Sequence, residues 1–293
     1  MGDVGLLLAL QQYRQPALDM FFHFFAFLGS EYFYIAILSW IFWCVDRVWG
    51  IRLAIVLFAS FYTNFTLKEV FAMPRPVHPE LIIMEQPEGL AFPSGHAQSS
   101  ATFWVYLGLW LRKVFLWIPI AILVILNSLS RLYLGIHLLQ DVVAGAILGI
   151  VFAVTFFLLF RALERSTFNF PLFFRCTAGA IVGIIMYAFA LDDLAVRMSG
   201  CMAATLVGFP LQKRYFPFSL PQKWQKKIPF FLGGLATVVL LHLTMRTVMG
   251  RSDPFIMIRY FILIMWVVLG VPILFRCYLT KNREVSRGEI LEE

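Results

Sequence analysis

Apolar runs long enough to cross a bilayer follow one another along this chain, separated by short polar breaks. The clearest cover residues 31–46, 51–72, 96–112, 114–131, 137–160, 174–191, 195–211, 228–249 and 255–276. A spanning helix needs about 20 residues, within a range of about 17–25. A further apolar stretch, 4–29, is interrupted by Gln11-Gln12-Tyr13-Arg14-Gln15-Pro16. It fits either one kinked span or an interfacial helix pair with Phe21, Phe22, Phe24 and Phe25 among the headgroups, and the interfacial reading is preferred. Backbone groups in lipid must be satisfied within their own segment, so the pattern predicts an all-α, polytopic transmembrane bundle.

Composition removes the soluble alternative. Of 293 residues, 60% are hydrophobic and 14% charged, and mean hydropathy is +0.80. Soluble domains carry about 45–50% apolar and about 25% charged residues, so the surplus here requires lipid as a second solvent. Met1-Gly2-Asp3 has no basic n-region and no small-residue cleavage site follows, so the first apolar helices are expected to direct insertion. The net charge of +7 reads as a Lys/Arg excess in cytoplasmic loops rather than a nucleic-acid surface. Cys44, Cys176, Cys201 and Cys277 lie far apart without metal-ligand spacing and read as buried free thiols.

Charge also orients the chain. Arg47, Arg52, Arg112, Lys113, Arg161, Arg165, Arg175, Lys213, Arg214, Lys223, Lys226, Lys227 and the tail residues Lys281, Arg283 and Arg287 all fall on one face when the spans are threaded. The positive-inside rule makes that face cytoplasmic. The breaks at 73–95, 132–136, Asp192-Asp193 and 246–254 then face the extracytoplasmic side, and the expected location is the cell (inner) membrane.

Two of those breaks hold most of the polar residues that invite a chemical reading. Lys68 sits near the end of an apolar helix and Arg75 follows seven residues later, between Pro74 and Pro76. Seven residues is about two turns, so both cations point one way if the helix runs close to Pro74; a snorkelling Lys beside an unrelated loop Arg fits equally well. In Pro93-Ser94-Gly95-His96, Ser94 reads as a helix N-cap, Gly95 permits close backbone approach, and the helix start offers N–H groups to an anion. An ordinary cap followed by a packed histidine is the plainer alternative. Next come Ser130-Arg131, then His137 and Asp141 at i and i+4 on a helix expected to begin near residue 137. A carboxylate there can take the N–H of one imidazole nitrogen and leave the other free to attack, while Arg131 offers a planar fork to phosphate oxygens. His78 reads as a solvated loop residue, Glu31 as a helix-start acid, and His23 and His242 as packed or interfacial; Glu69 is given no role.

Taken together, Lys68…Arg75-Pro76, Pro93-Ser94-Gly95-His96 and Ser130-Arg131…His137…Asp141 resemble the three signatures of the type 2 phosphatidic acid phosphatase (PAP2) family, K-x6-R-P, P-S-G-H and S-R-x5-H-x3-D, in the same order. That family also includes vanadium haloperoxidases and glucose-6-phosphatases. The resemblance covers about residues 20–160, and 161–293 carry no signature of this kind. It implies three regions: an N-terminal helix region at 1–30, a catalytic membrane core at 31–165, and additional helices with a cytoplasmic tail at 166–293. By the same resemblance His137 is the nucleophile, Asp141 orients it, and His96 protonates the leaving oxygen and then activates water. Lys68, Arg75 and Arg131 hold the phosphate with Ser94 and the Gly95 N–H. The implied reaction is metal-independent hydrolysis of a lipid phosphomonoester or diphosphate through a phosphohistidine, with no cofactor. Phosphatidic acid, phosphatidylglycerol phosphate, a sphingoid phosphate and undecaprenyl diphosphate all remain admissible. A soluble sugar phosphate, phosphotransfer, or a lipid transporter or scramblase are the alternatives. The partners expected are the lipid substrate and the bilayer, with no nucleic acid; the oligomeric state stays open.

Overall fold

The computed structural model describes residues 4–86, 89–166, 170–250 and 252–275, and these are all helix or connecting loop, with no strand among the described residues. Cys277, Lys281, Arg283 and Arg287 lie outside the described residues. Packing divides the chain into two compact units, Met1–Ile35 with Val56–Thr167, and Ala36–Ile55 with Phe168–Glu293.

Helices α1 (Gly5–Gln11), α2 (Pro16–Phe27), α3 (Glu31–Trp40), α4 (Arg47–Phe71), α5 (Gly95–Leu111), α6 (Trp117–Tyr133) and α7 (Leu139–Arg165) build the first unit, α3 and α4 each contributing the part that falls within it. The stretch 4–29 resolves into two short helices, and α2 meets α3 and its π-helical extension at a bend of 52°. The longest element, α7, has 27 residues; at 1.5 Å per residue that is about 40 Å, more than the hydrocarbon core of about 30 Å. One side of it, with Ile147, Val151 and Leu158 exposed, has the apolar character a lipid contact needs. The other buries Val142, Gly145, Gly149, Ala153 and Phe157 at intervals of three or four residues. A β-carbon on Gly145 would overlap the Ser94 carbonyl oxygen, and one on Gly149 the Gln98 carbonyl oxygen. Small residues four apart thus bring the α7 and α5 backbones together, as in other membrane helix pairs.

The second unit holds α8 (Leu172–Ala188), α9 (Asp193–Tyr215), α10 (Trp224–Val248) and α11 (Asp253–Met265), the last running through a π turn into α12 (Val271–Leu274). Its core gathers Phe42, Trp43, Cys44, Phe218, Phe230, Val268 and Val271, and Trp43 Nε1 donates to the Val267 carbonyl at 3.0 Å. Residues 36–55 therefore pack with the later helices, whereas the sequence reading grouped 31–165 as one core. Hydropathy reports that a run is apolar but not which apolar partner it meets. Six of the described helices are long and apolar enough to cross a membrane, or seven if the bent α2–α3 pair is one span. At 17 residues each, α5 and α8 sit at the short end of the spanning range.

Candidate active site

All eight residues singled out by spacing belong to the first unit, at one end of α4 to α7 and in the loops joining them. Helix α4 stops at Phe71, because Ala72 takes a left-handed φ of 48°. Lys68 and Arg75 are therefore not linked by continuous helix, as the spacing argument required. They converge all the same: Lys68 Nζ donates to the Leu90 carbonyl, and Arg75 Nε to the adjacent Gly89 carbonyl at 3.0 Å. Arg75 Nη1 extends further, to the Ile136 carbonyl at 3.0 Å and to His137 Nε2 at 3.3 Å.

His137 differs from expectation in its backbone. Helix α7 begins at Leu139 with Leu138 as its N-cap, so His137 lies in the preceding loop rather than on the helix face. Asp141 explains the start, since its Oδ2 accepts the Leu138 N–H at 2.9 Å and satisfies an otherwise orphan amide. The same oxygen stands 3.4 Å from His137 Nδ1. That is the length of an ion-pair approach rather than a formed hydrogen bond, and Nδ1 makes no hydrogen bond among the described residues. The imidazole is 2% exposed. Burial pulls its pKa below the ordinary 6.5, the charges of Arg75 and Lys68 pull the same way, and Asp141 opposes them. The favoured form is a neutral ring with Nδ1–H toward Asp141 and a lone pair on Nε2, the atom to which Arg75 donates.

Ser94 occupies the N-cap position of α5 but makes no side-chain cap bond, and its Oγ is buried without a partner among the described residues, unlike the capping role read from the sequence. Its backbone N–H instead donates to the Asp141 carbonyl at 2.9 Å, tying the start of α5 to the start of α7. Gly95 and His96 open α5, and the His96 ring lies against Gly29 in the α2–α3 turn. Arg131, 1% exposed, donates from Nε to Ser130 Oγ at 3.2 Å, while its Nη2 is buried with no acceptor among the described residues. Unpaired donors on Arg131 and Ser94 beside a neutral imidazole suit an incoming phosphate, whose oxygens accept what the protein leaves unbonded. Among the described residues, no three His, Cys, Asp or Glu side chains converge to hold a metal ion.

Sequence reasoning missed several members of this region. Arg131 Nη1 donates to Glu85 Oε2 at 3.1 Å, and Glu85 Oε1 lies 3.3 Å from His23 Nδ1. Neither partner is near Arg131 in sequence, so no spacing rule finds them. Gln11 clamps the long loop, its Nε2 donating to the carbonyls of Ile82 at 2.8 Å and Tyr133 at 3.0 Å. Beneath the site, Asn64 Nδ2 donates to Pro93 O at 3.2 Å and to Gln98 Oε1 at 2.8 Å. Gln98 Nε2 reaches Ser60 Oγ at 2.9 Å, and Ser60 Oγ lies 3.0 Å from Thr102 Oγ1. The i, i+4 spacing of polar residues within apolar helices was the available signal.

Comparison with known proteins bears on the same residues. Residues 49–165 match the PAP2 superfamily, and residues 196–283 match a second description, PAP2 superfamily phosphatase, transmembrane extension. A lipid A 4'-phosphatase from Bacteroides thetaiotaomicron is 32% identical over 163 residues, covering 50% of this chain and 72% of that protein. An undecaprenyl-diphosphatase from Sulfolobus acidocaldarius is 35% identical over 149 residues, covering 49% of this chain and 71% of that protein. The chain belongs to the PAP2 superfamily.

It is an integral membrane member of that family, with its matched region enclosing Lys68, Arg75, Ser94, Gly95, His96, Arg131, His137 and Asp141. A probable sphingosine-1-phosphate phosphatase from Dictyostelium discoideum is 31% identical over 166 residues, covering 50% of this chain but only 40% of that protein. This PAP2 chain thus spans about two fifths of the sphingosine-phosphate relatives it matches. The second match falls on α9 to α12, a region in which the sequence reading found no signature.

Proposed function

We propose that this protein is a metal-independent lipid phosphate phosphatase that works through a phosphohistidine at His137. The observation that carries the reading is the setting of His137, whose Nδ1 stands 3.4 Å from Asp141 Oδ2 and whose Nε2 stands 3.3 Å from Arg75 Nη1, an arrangement that favours the tautomer with Nδ1–H and a lone pair on Nε2. When phosphate oxygens take over the Arg75 donor, the Nε2 lone pair attacks phosphorus and the bond to the leaving oxygen breaks. His96 supplies the proton to that oxygen. His96 then accepts a proton from water, the water oxygen bonds to phosphorus, and the phosphorus–nitrogen bond breaks. Arg75, Arg131 and Lys68 provide the positive charge that transferring phosphoryl oxygens require, with Ser94 and the Gly95 N–H as additional donors.

The substrate class rests on depth as well as kinship. A cationic site at the end of membrane helices suits a headgroup whose chains remain in lipid, and the relatives named above act on a sphingoid phosphate, lipid A and undecaprenyl diphosphate. The first unit is the proposed catalytic body, with its loops on the extracytoplasmic side. Purified protein with chelator present should release phosphate from sphingosine phosphate, phosphatidic acid or undecaprenyl diphosphate faster than from a sugar phosphate. An alkaline denaturing quench of His96→Ala with a good leaving group should trap alkali-stable, acid-labile phosphate on His137. Robust turnover by His137→Ala, or label on another residue, would sink the mechanism.

A further inference from the structure

The second unit carries a basic cluster that this chemistry does not use. Arg197 lies one turn into α9, His242 and Arg246 fall in the last two turns of α10, and Arg259 lies two turns into α11. At 1.5 Å per residue each is within about 9 Å of an end of its helix, in the outer part of the span rather than at its middle. Helices α9 and α11 meet backbone to backbone beside the cluster, since a β-carbon on Gly200 would overlap the Met257 carbonyl oxygen. The guanidinium carbons of Arg197 and Arg259 stand 5.6 and 5.5 Å from the Tyr260 ring centroid. The His242 ring packs on the same tyrosine at 6.1 Å, within reach of the charges of Arg259, Arg246 and Arg197.

Charge balance here is incomplete. Arg259 is 8% exposed, and its Nε, like that of Arg197, is buried with no hydrogen-bond partner among the described residues. Asp192 acts electrostatically on Arg197, yet none of the ion pairs among the described residues includes Arg197, Arg246 or Arg259. Burying a guanidinium unpaired is costly, and gathering like charges adds to the cost. One bound anion removes both penalties, and a planar fork matches the oxygens of a phosphate. We infer that Arg197, Arg246 and Arg259 form a second phosphate-binding site, which takes a phosphate group carried by a lipid headgroup or free in solution.

The test uses the full chain bearing Arg131→Gln, which weakens the other phosphate site, and compares phosphatidylglycerol with diacylglycerol of the same chains by native mass spectrometry. Adding Arg259→Gln should weaken phosphatidylglycerol binding at least about 10-fold, the scale of one charged hydrogen bond, and leave diacylglycerol binding unchanged. Inorganic phosphate that displaces the lipid would show that the phosphate group suffices. If it fails to displace, the lipid-borne group is the ligand. Arg246 is exposed, so Arg246→Gln repeats the test in a folded protein even if the buried position does not tolerate change. Phosphatidylglycerol affinity that is unchanged in the folded variants overturns the proposal, as does an equal loss of diacylglycerol binding, which would mark a packing role.

Discussion

Replacing Glu85 with Gln separates two states of Arg131. The buried guanidinium has Glu85 Oε2 at 3.1 Å from Nη1, while Nη2 has no acceptor among the described residues. A phosphate that engages both nitrogens must take the place of that carboxylate. Hydrogen bonds to charged groups are worth about 1.5–3 kcal/mol. The Glu85 side chain is 33% exposed, however, and screening reduces its hold on Arg131 to about 1–2 kcal/mol. Gln keeps the size and one acceptor, so the change reports mainly the charge.

Two linked effects are expected. The ligand-free variant should lose about 1–2 kcal/mol of stability, because Arg131 is left with a weaker partner. Phosphate should bind tighter by the same amount, which is about 5–30-fold. The assays are the inhibition constant of inorganic phosphate or vanadate and the thermal midpoint with and without phosphate. Mass action then requires phosphate to restore the lost midpoint in the variant more than it raises the wild type. An unchanged or weakened inhibition constant in well-folded protein would refute the competition and make Glu85 a helper instead.

Arg75→Lys and Arg131→Lys should each lower kcat/KM at least about 10-fold, since an ammonium replaces a bidentate fork with a point charge; near wild-type turnover in both would remove them from the phosphate site. Because burial and the neighbouring cations depress the His137 pKa, an NMR titration of imidazole-labelled protein should find its midpoint below 6.5, with His137→Ala identifying the resonance. The sign for stability follows: unfolded protein binds the extra proton first, so the contribution is whole above the unfolded pKa and shrinks as pH falls below about 6.5. A midpoint at or above 6.5 would contradict the burial argument. In a cysteine-free background, a cysteine at Val77, which is 85% exposed, should react with an impermeant maleimide in intact cells, and one at Lys223 only after permeabilisation. Reversed labelling would overturn the proposed orientation.

Helix positions were legible because lipid leaves a coarse signal. The runs at 51–72, 96–112 and 228–249 appear as Arg47–Phe71, Gly95–Leu111 and Trp224–Val248. Local geometry at the site was less legible, since it depends on single backbone choices. Ala72 in a left-handed conformation and Asp141 bonding the Leu138 N–H each shift a helix end by a few residues. Those shifts move His137 off the helix face without separating it from Asp141. Contacts such as Arg131 with Glu85 and His23, and the packing of 36–55 against Phe218 and Phe230, join segments far apart in sequence. A single sequence carries no periodicity that encodes them.

The three signatures meet because three helices carry matching intervals of four. On α4, Ser60, Asn64 and Lys68 lie on one face; from the N-cap of α5, the same interval gives Ser94, Gln98 and Thr102; on α7 it gives Asp141, Gly145 and Gly149. Ser60 and Asn64 bond Gln98, which leaves Lys68 one turn further along the same face, where it reaches the Leu90 carbonyl. Gly145 and Gly149 press against the carbonyls of Ser94 and Gln98, and Ser94 N–H closes the row on the Asp141 carbonyl. A side chain at either glycine would push α7 away from α5 and carry Asp141, and with it His137, away from Ser94 and His96. The polar ladder therefore sets where the cations stand, and the glycine row sets how close the two histidine segments come. Phosphoryl transfer depends on both, because charge stabilisation and in-line placement fail when reacting groups shift by as little as about 1 Å. Residues outside the proposed phosphate contacts thus set the placement of His137 and His96 on which the proposed chemistry relies.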